Sequence, residues 1–427
     1  MNKIKCSILA IGDELITGKI VDSNSSFIAK ELTAIGFSVV SIQQIGDNVS
    51  LIVSTINELA KEVDFIVTTG GLGPTLDDKT RDALAIAADQ PLVLFPGSEQ
   101  RLIECLKQRN RICSEVQRRQ AYFPEQASIL ENIIGTADGF SVKLANQTIV
   151  FSMPGVPKEM KTMMQSQVLP QLQIFFPNIS NPYIFSFRCF GLSESYVASQ
   201  IETLELVEHI EIAYRPSFPI LTVSLSDFSS RSQIEKKNII EKEFSEILRV
   251  IGEEYIFTFD PEQSIASVVQ DIMLKKNLTL ALAESCTGGL VADRIVFEAG
   301  SSGYFSGGVV CYSNKVKQNF LGVAEQTLKS YGAVSEQTAA ELAEGVRKKF
   351  GTSYGISITG IAGPGGGSEE KPIGTVCFGL STDLETIVSR VIISRNRNEV
   401  RAYAAIYALD MIRRHLLELP QLLEINK

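Results

Sequence analysis

Apolar and polar positions along the chain predict two separate series of strands and helices. In the first, short apolar runs predict strands over Lys3 to Ile11, Phe37 to Ile45 and Asp64 to Thr69, the last β-branched and fit for burial on both faces. Between them Phe27, Ile28 and Leu32 fall at helical spacing and stop at Gly36, and Ile52, Ile56 and Leu59 repeat the pattern after Asp47 and Ser50, two capping candidates. Strand, helix, strand, helix, strand implies parallel neighbours in a doubly wound sheet, whose ligands bind beyond the carboxyl ends of the strands.

The texture changes where Pro170, Pro177 and Pro182 interrupt the pattern. A small α+β segment follows, with strands predicted over Tyr183 to Phe190 and Ile220 to Leu225 and a charged helix from Ser232 to about Ile251. After Phe259 a second series begins, with strands at Leu278 to Ala283, Gly307 to Tyr312, Tyr354 to Ile358, Thr375 to Leu380 and Thr386 to Ile393, and helices at Leu290 to Phe297, Ser335 to Phe350 and Glu399 to Leu417. The loops of the two series share no chemistry. The expected architecture is therefore α/β: two dissimilar three-layer α/β domains, residues 1–170 and 259–427, joined by a small α+β domain, residues 171–258.

Composition narrows the function. The 427 residues are ordinary globular material, and a net charge of −9 offers no general field for nucleic acid or an anionic membrane, so neither is expected as a partner. Seven cysteines, an odd number without a C-x-x-C pair, support neither a disulfide framework nor a zinc site and fit reduced thiols in the cytoplasm. The apolar start is cut by Asp13 and Glu14 too early for a signal peptide, and no run reaches the length of a bilayer span. Histidine occurs only at His209 and His415, which disfavours any mechanism built on imidazole.

The first series carries acidic residues and glycines at its strand ends. Thr69-Gly70-Gly71-Leu72-Gly73-Pro74-Thr75 runs into Asp77 and Asp78 ahead of a helix, an arrangement able to cradle phosphate although it is neither a P-loop nor a dinucleotide fingerprint. Asp77 and Asp78 read equally well as helix caps. The other two strands end in Gly12-Asp13-Glu14 and Gly46-Asp47-Asn48, so Asp13, Glu14, Asp47, Asp77 and Asp78 are candidate oxygen ligands for a divalent metal such as Mg²⁺, Mn²⁺ or Co²⁺.

In the second series, Glu284-Ser285-Cys286-Thr287-Gly288-Gly289 is a strand-to-helix turn rich in hydroxyls and backbone donors, and Thr359-Gly360 opens a glycine-rich loop. Serines at Ser285, Ser301 and Ser302 lack a histidine partner, because His415 falls in a packing helix. Lysine is the remaining base, and Lys315, three residues after Tyr312, is the candidate. Serine, lysine and turn donors make an acyl-transfer set. Cys286 is the rival nucleophile, with a lining role favoured because no imidazole accompanies it.

The motifs "IGDELITGKIVDSN", "TTGGLGPTLDDKTRDALA", "RRQAYFPEQA", "GTADGF" and "MPGVPKEM" resemble the N-terminal domain of the competence/damage-inducible protein A family, which is similar to molybdopterin-binding domains. The resemblance implies metal-dependent hydrolysis of ADP-ribose to AMP and ribose 5-phosphate, with Asp13, Glu14, Asn24, Gly70, Gly71, Gly73, Thr75, Asp77 and Asp78 at the pocket. Asp138 departs from the proline more usual in "GTADGF". The motifs "LALAESCTGGLVADRI", "GSSGYFSGGVVCYSNKVKQNFLGV" and "SITGIAGPGGGSEEKPIGTV" resemble the family's C-terminal domain, a metal-free deamidase of nicotinamide mononucleotide. That resemblance, and not spacing, selects Ser302 as nucleophile, with Lys315 as base and Tyr312 as its companion. It also implies that Ser285 and Thr359 meet the amide region, that Gly288, Gly289, Gly360 and Arg397 hold the nucleotide, and that Thr287 is among the substrate-binding residues. In the middle segment "IAYRPSFP" carries Arg215 where an apolar residue is expected, and no G-X-X-G loop supports RNA binding. Nicotinamide mononucleotide and ADP-ribose are the expected small-molecule partners, and a homodimer is the expected assembly.

Overall fold

A computed structural model describes residues 4–422. Its fold is α/β and contains three principal sheets in two compact units.

The first unit runs up to Pro182 and takes in Phe228–Gln233. Its strands are β1 (Lys5–Ile11), β2 (Ser38–Ile45), β3 (Phe65–Thr69), β4 (Leu92–Leu94), β5 (Tyr122–Pro124), β6 (Ser128–Leu130), β7 (Gly139–Lys143) and β8 (Ile149–Met153). Six of them form one sheet in the order β2-β1-β3-β8-β7-β6, parallel through β8 and antiparallel beyond it, while β4 and β5 pair separately. Alternate side chains of β1 and β3 enter opposite layers: Leu9 and Ile66 pack under the helix Val49–Leu59, and Ile8, Phe65 and Val67 pack with Ile28, Leu32 and Met160. Pro170, expected to mark the boundary, lies inside a continuous helical run from Pro157 to Phe175, directly after the π-helical turn Met164–Val168, where the locally shifted hydrogen bonding accommodates its missing N–H. Asp138 is buried and accepts from Ser98 Oγ and the Arg101 guanidinium at 2.7 Å each, so this departure from the family pattern fastens a loop.

The second unit comprises Tyr183–Asp227 and the chain from Ile234 onward. It begins with β9 (Tyr183–Phe190), β10 (Ile210–Ser217), β11 (Ile220–Asp227) and β12 (Ile256–Thr258), an antiparallel sheet in the order β10-β11-β9-β12. The helix Gln233–Ile251 lays Ile240, Phe244 and Ile247 against Phe187, Val223 and Leu225. Arg215 is exposed on the edge strand β10, which also accommodates Pro216, so no apolar residue is required there. Next come β13 (Leu280–Glu284), β14 (Phe305–Val310), β15 (Tyr354–Gly360), β16 (Thr375–Ser381) and β17 (Thr386–Ile392), in the order β14-β13-β15-β16-β17 with the first three parallel. Leu280 and Leu282 face the long helix Arg397–Leu416, and Ala281 and Ala283 face the layer of helix Glu336–Phe350.

These two sheets share one core. Phe190 of β9 lies 5.0 Å from Tyr403, and Ile220 and Phe257 join the cluster around the last helix. Beside them Asp410 pairs with both Arg413 and Arg414, all at most 2% exposed, and the two guanidiniums donate to the carbonyls of Glu254 and Ile256. Among the described residues no helix is long and apolar enough to cross a membrane.

Candidate active site and nucleotide site

The carboxyl ends of β13, β14 and β15 surround a cavity of about 180 Å³ lined by Ser285, Cys286, Tyr312, Lys317, Thr359, Gly360 and Arg397, among others. Ser285 stands immediately after β13, its N–H tied to Ile358 O at 2.9 Å. The Glu284 carboxylate accepts from the amides of Gly289, Val291 and Ala292, which caps the helix Leu290–Phe297 and fixes the turn that carries Ser285. Gly360 leaves no room for a side chain: a Cβ there would stand 2.9 Å from Val376 and 3.0 Å from the Cys286 sulfur.

The lysine of this cavity is Lys317. It lies in the helix Asn314–Leu321, capped by Ser313, and shares its buried face with Leu321. Its side chain is only 1% exposed, and Nζ meets Ser285 Oγ at 3.1 Å, Cys311 O at 2.6 Å and Tyr312 O at 3.4 Å. Among the described residues Lys317 has no carboxylate in ion-pair range, and burial lowers its pKa below the ordinary lysine value. A neutral amine would donate to the two carbonyls and turn its lone pair toward the serine hydroxyl, the requirement for a base. Burial drives the Cys286 thiol up to about 12, which leaves it a wall of the cavity and not a nucleophile.

Two expected residues lie outside this cavity. Lys315 is exposed: two residues on an α-helix are separated by about 200°, so it points away when Lys317 points in. Ser302 lies in the turn Ser301–Gly303 that precedes β14, whereas Ser285 and Tyr312 follow β13 and β14. Because these strands are parallel and in register from Leu280 with Phe305 to Glu284 with Val310, the two serines sit at opposite edges of the sheet. Six strand residues at about 3.3 Å each separate them by roughly 20 Å.

Of the remaining expected residues, Tyr312, Thr359, Gly360 and Arg397 line the cavity, whereas Thr287, Gly288 and Gly289 belong to the adjoining turn and are not among its lining residues. Tyr312 lines it although its side chain is largely exposed. Thr359 Oγ1 donates to Ala333 O at 2.7 Å, leaving its lone pairs as acceptors. Gly288 and Gly289 form the turn with positive φ, and Thr287, fully buried, accepts from Arg401 at its carbonyl. The amides of Thr287 and Gly288 have no acceptor among the described residues. Arg397 opens the last helix and reaches Gly363 O at 2.6 Å. Sequence reasoning missed Lys317, Glu284 and Arg401; the helical phase of Lys317 with Leu321 was the signal available.

In the first unit the ends of β1, β2 and β3 also converge. Asp13 N–H donates to Asp47 Oδ2 at 2.9 Å, and Asp47 N–H donates to Asp13 Oδ1 at 3.2 Å. Burial pushes the Asp47 carboxyl up, the Asp13 amide lowers it, and the charges of Asp13, Glu14 and Asp78 raise it further. Asp78 is held by the turn it closes, accepting from Gly73 N–H at 2.7 Å and from Thr75 N–H at 2.8 Å; Asp77 and Glu14 are exposed. Gly70 carries positive φ and a Cβ there would meet Ile11 O at 2.0 Å, while Gly71 continues the turn against Thr80. Asn24 bridges Thr69 Oγ1 and Gly155 O through its amide nitrogen, and its Oδ1 is buried without a partner. Arg81, unremarked in the sequence, is buried with its guanidinium on the carbonyls of Leu72 and Gly73, and burial lowers its pKa to about 10. Among the described residues no three of these acidic groups converge as a ready ligand set for a metal. Asp78 is engaged by its own loop, so the carboxylates alone do not fit a preformed ion.

Residues 7–174 match the family model described as "Probable molybdopterin binding domain", and residues 262–416 match the CinA C-terminal domain. The chain is 38% identical over 421 residues to a "CinA-like protein" of Kosmotoga olearia, covering 97% of this chain and 100% of that one. It is 38% identical over 416 residues to a "Putative competence-damage inducible protein" of Clostridium botulinum, at 97% and 100% coverage. The solved competence/damage inducible protein CihA of Agrobacterium tumefaciens matches at 36% identity and TM-score 0.35, covering 36% of this chain and 93% of that one. The chain belongs to the CinA family of competence/damage-inducible proteins, with a molybdopterin-binding-like N-terminal domain and a CinA C-terminal domain.

Proposed function

We propose that the second unit is a serine-lysine amidase that converts nicotinamide mononucleotide to nicotinate mononucleotide and ammonia. The observation that carries this reading is the 3.1 Å contact between Ser285 Oγ and the buried, carboxylate-free Lys317 Nζ. Neutral Lys317 takes the Ser285 proton as Oγ attacks the carboxamide carbon. The tetrahedral oxyanion is stabilised by backbone donors of the turn that follows Ser285. Its C–N bond then breaks as Lys317 returns the proton to the departing nitrogen, which leaves as ammonia. Water, deprotonated by the same amine, cleaves the acyl-serine and gives the carboxylate, so one water is consumed for each ammonia released. Thr359 accepts from the substrate amide, Tyr312 closes the exposed side, and Arg397 with the N-terminus of its helix holds the phosphate. A cavity of about 180 Å³ admits the amide end of the substrate, while the sugar phosphate extends toward the glycine-rich loop.

For the first unit the proposal is hydrolysis of ADP-ribose to AMP and ribose 5-phosphate in the presence of a divalent metal. Support comes from the Gly70–Thr75 turn and the orphaned Asn24 acceptor; a metal would need the substrate's phosphate oxygens to complete its ligands. Ammonia release from nicotinamide mononucleotide tests the first proposal, with Ser285→Ala inactive and Ser302→Ala active as the expected result. The reverse result overturns the assignment. ADP-ribose turnover with and without added Mg²⁺, Mn²⁺ or Co²⁺ tests the second, and binding without turnover would leave that domain a nucleotide- or pterin-binding scaffold.

A further inference from the structure

A second cavity of about 740 Å³ lies in the same unit and shares no lining residue with the catalytic one. Its volume is in the range of small-molecule sites. Arg188 of β9 forms one wall and Arg294 of the helix Leu290–Phe297 another, with Leu290, Ile406 and Leu409 among the apolar lining.

The two arginines are under-used by the protein. Arg188 donates through Nη1 to Gln263 O at 2.6 Å and stacks over Phe257, but its Nε is buried without a partner. Arg294 has no hydrogen-bond acceptor for any of its donors among the described residues, and its Nε is also buried. Burial holds both guanidiniums below their ordinary range. A partly buried cation without a partner is unfavourable unless something supplies the missing acceptor. Four carboxylates, Asp260, Glu262, Asp293 and Glu298, also line the cavity yet form no ion pair with either arginine among the described residues. The four carboxylates outnumber the two guanidiniums, so the lining carries a formal net charge of −2 and repels a polyphosphate; a ligand with one negative charge, set directly on the arginines, keeps that repulsion smallest. Phe297, 88% exposed at the rim, offers a free aromatic face.

We propose that this cavity binds an aromatic monocarboxylate of up to nucleoside size, its carboxylate received by Arg188 and Arg294 and its ring laid against Phe297 and the apolar wall. Fork-shaped guanidiniums suit a carboxylate in two-point contact.

The test is titration of the full-length protein with 1-naphthoate, followed by the probe's own fluorescence, which no tryptophan obscures because the chain contains none. Uncharged 1-naphthamide is the control. Saturable binding at one site per chain is expected. Arg294→Gln and Arg188→Gln should each raise Kd roughly tenfold or more, about the worth of one charge-assisted hydrogen bond. Phe297→Ala, at an exposed position that cannot threaten folding, should raise it severalfold, and Arg397→Gln in the catalytic cavity should leave it unchanged. The proposal is overturned by absence of saturable binding, by equal affinity for the amide, by unaltered binding in both Arg294→Gln and Phe297→Ala, or by loss in Arg397→Gln instead.

Discussion

Exchanging Lys317 for methionine, beside the same exchange at Lys315, separates the two lysines of one helix. Methionine keeps the length and apolar stem of Lys317 but removes the amine that meets Ser285 and donates to the Cys311 and Tyr312 carbonyls. Losing a positioned general base lowers kcat/KM by about 10²–10⁴. Stability falls less, because the Cys311 carbonyl loses its 2.6 Å donor inside the protein, a cost of about 1–3 kcal/mol. For a unit of this size that is a Tm decrease of roughly 2–12 °C. Lys315→Met, at an exposed site, should change stability by no more than about 0.5 kcal/mol and leave turnover intact. Ammonia release measured against pH adds an independent sign. The base must be neutral, so wild-type kcat/KM should rise with pH through a midpoint below the ordinary lysine value, because burial lowers the Lys317 pKa. A folded Lys317→Met protein keeping more than a tenth of wild-type activity, or a Lys315→Met protein losing it, would refute the argument.

Other outcomes follow from neighbouring contacts. Cys286→Ser should retain most deamidation, and alkylation of Cys286 at pH 8 should be slow, since burial pushes its thiol up to about 12; rapid inactivation by a thiol reagent would contradict this. Gly360→Ala should lower both activity and Tm, because the new methyl has backbone oxygen of Thr375 at 3.0 Å as well as Val376 and Cys286 close by. Asp78→Asn should destabilise the first unit by about 1–3 kcal/mol even in metal-free buffer, since an amide nitrogen would face a backbone donor; a loss seen only with metal present would instead make Asp78 a ligand.

Where one physical cause governs an element, the sequence showed it. Tyr183–Phe190 and Leu290–Phe297 match their expected bounds, and the buried β3 announced itself by β-branched residues alone. Ile210–Ser217 escaped because an edge strand needs no apolar continuity and tolerates Pro216. The turn that carries Ser285 and both glycine loops were legible from strand-end chemistry, but the lysine that meets Ser285 was not. Counting outward from Tyr312 reaches Lys315 first, and only helical phase shows that Lys317 shares the buried face of Leu321. Ser302 could be excluded only by strand register, which relates positions that no local motif connects.

The Asp410, Arg413 and Arg414 cluster sets where this chain can be severed. A fragment starting at residue 259 would keep both buried arginines, their aspartate and the Pro420 carbonyl yet lose the Glu254 and Ile256 carbonyls that receive others of their protons, along with the Phe190 ring that covers Tyr403. What truncation uncovers is the apolar face around Tyr403, Phe378 and Tyr407 on the longest helix, which would favour aggregation of the fragment. An expression boundary for the second unit therefore belongs near Tyr183, and grafting it onto another protein means carrying the middle sheet along as part of the same folded body.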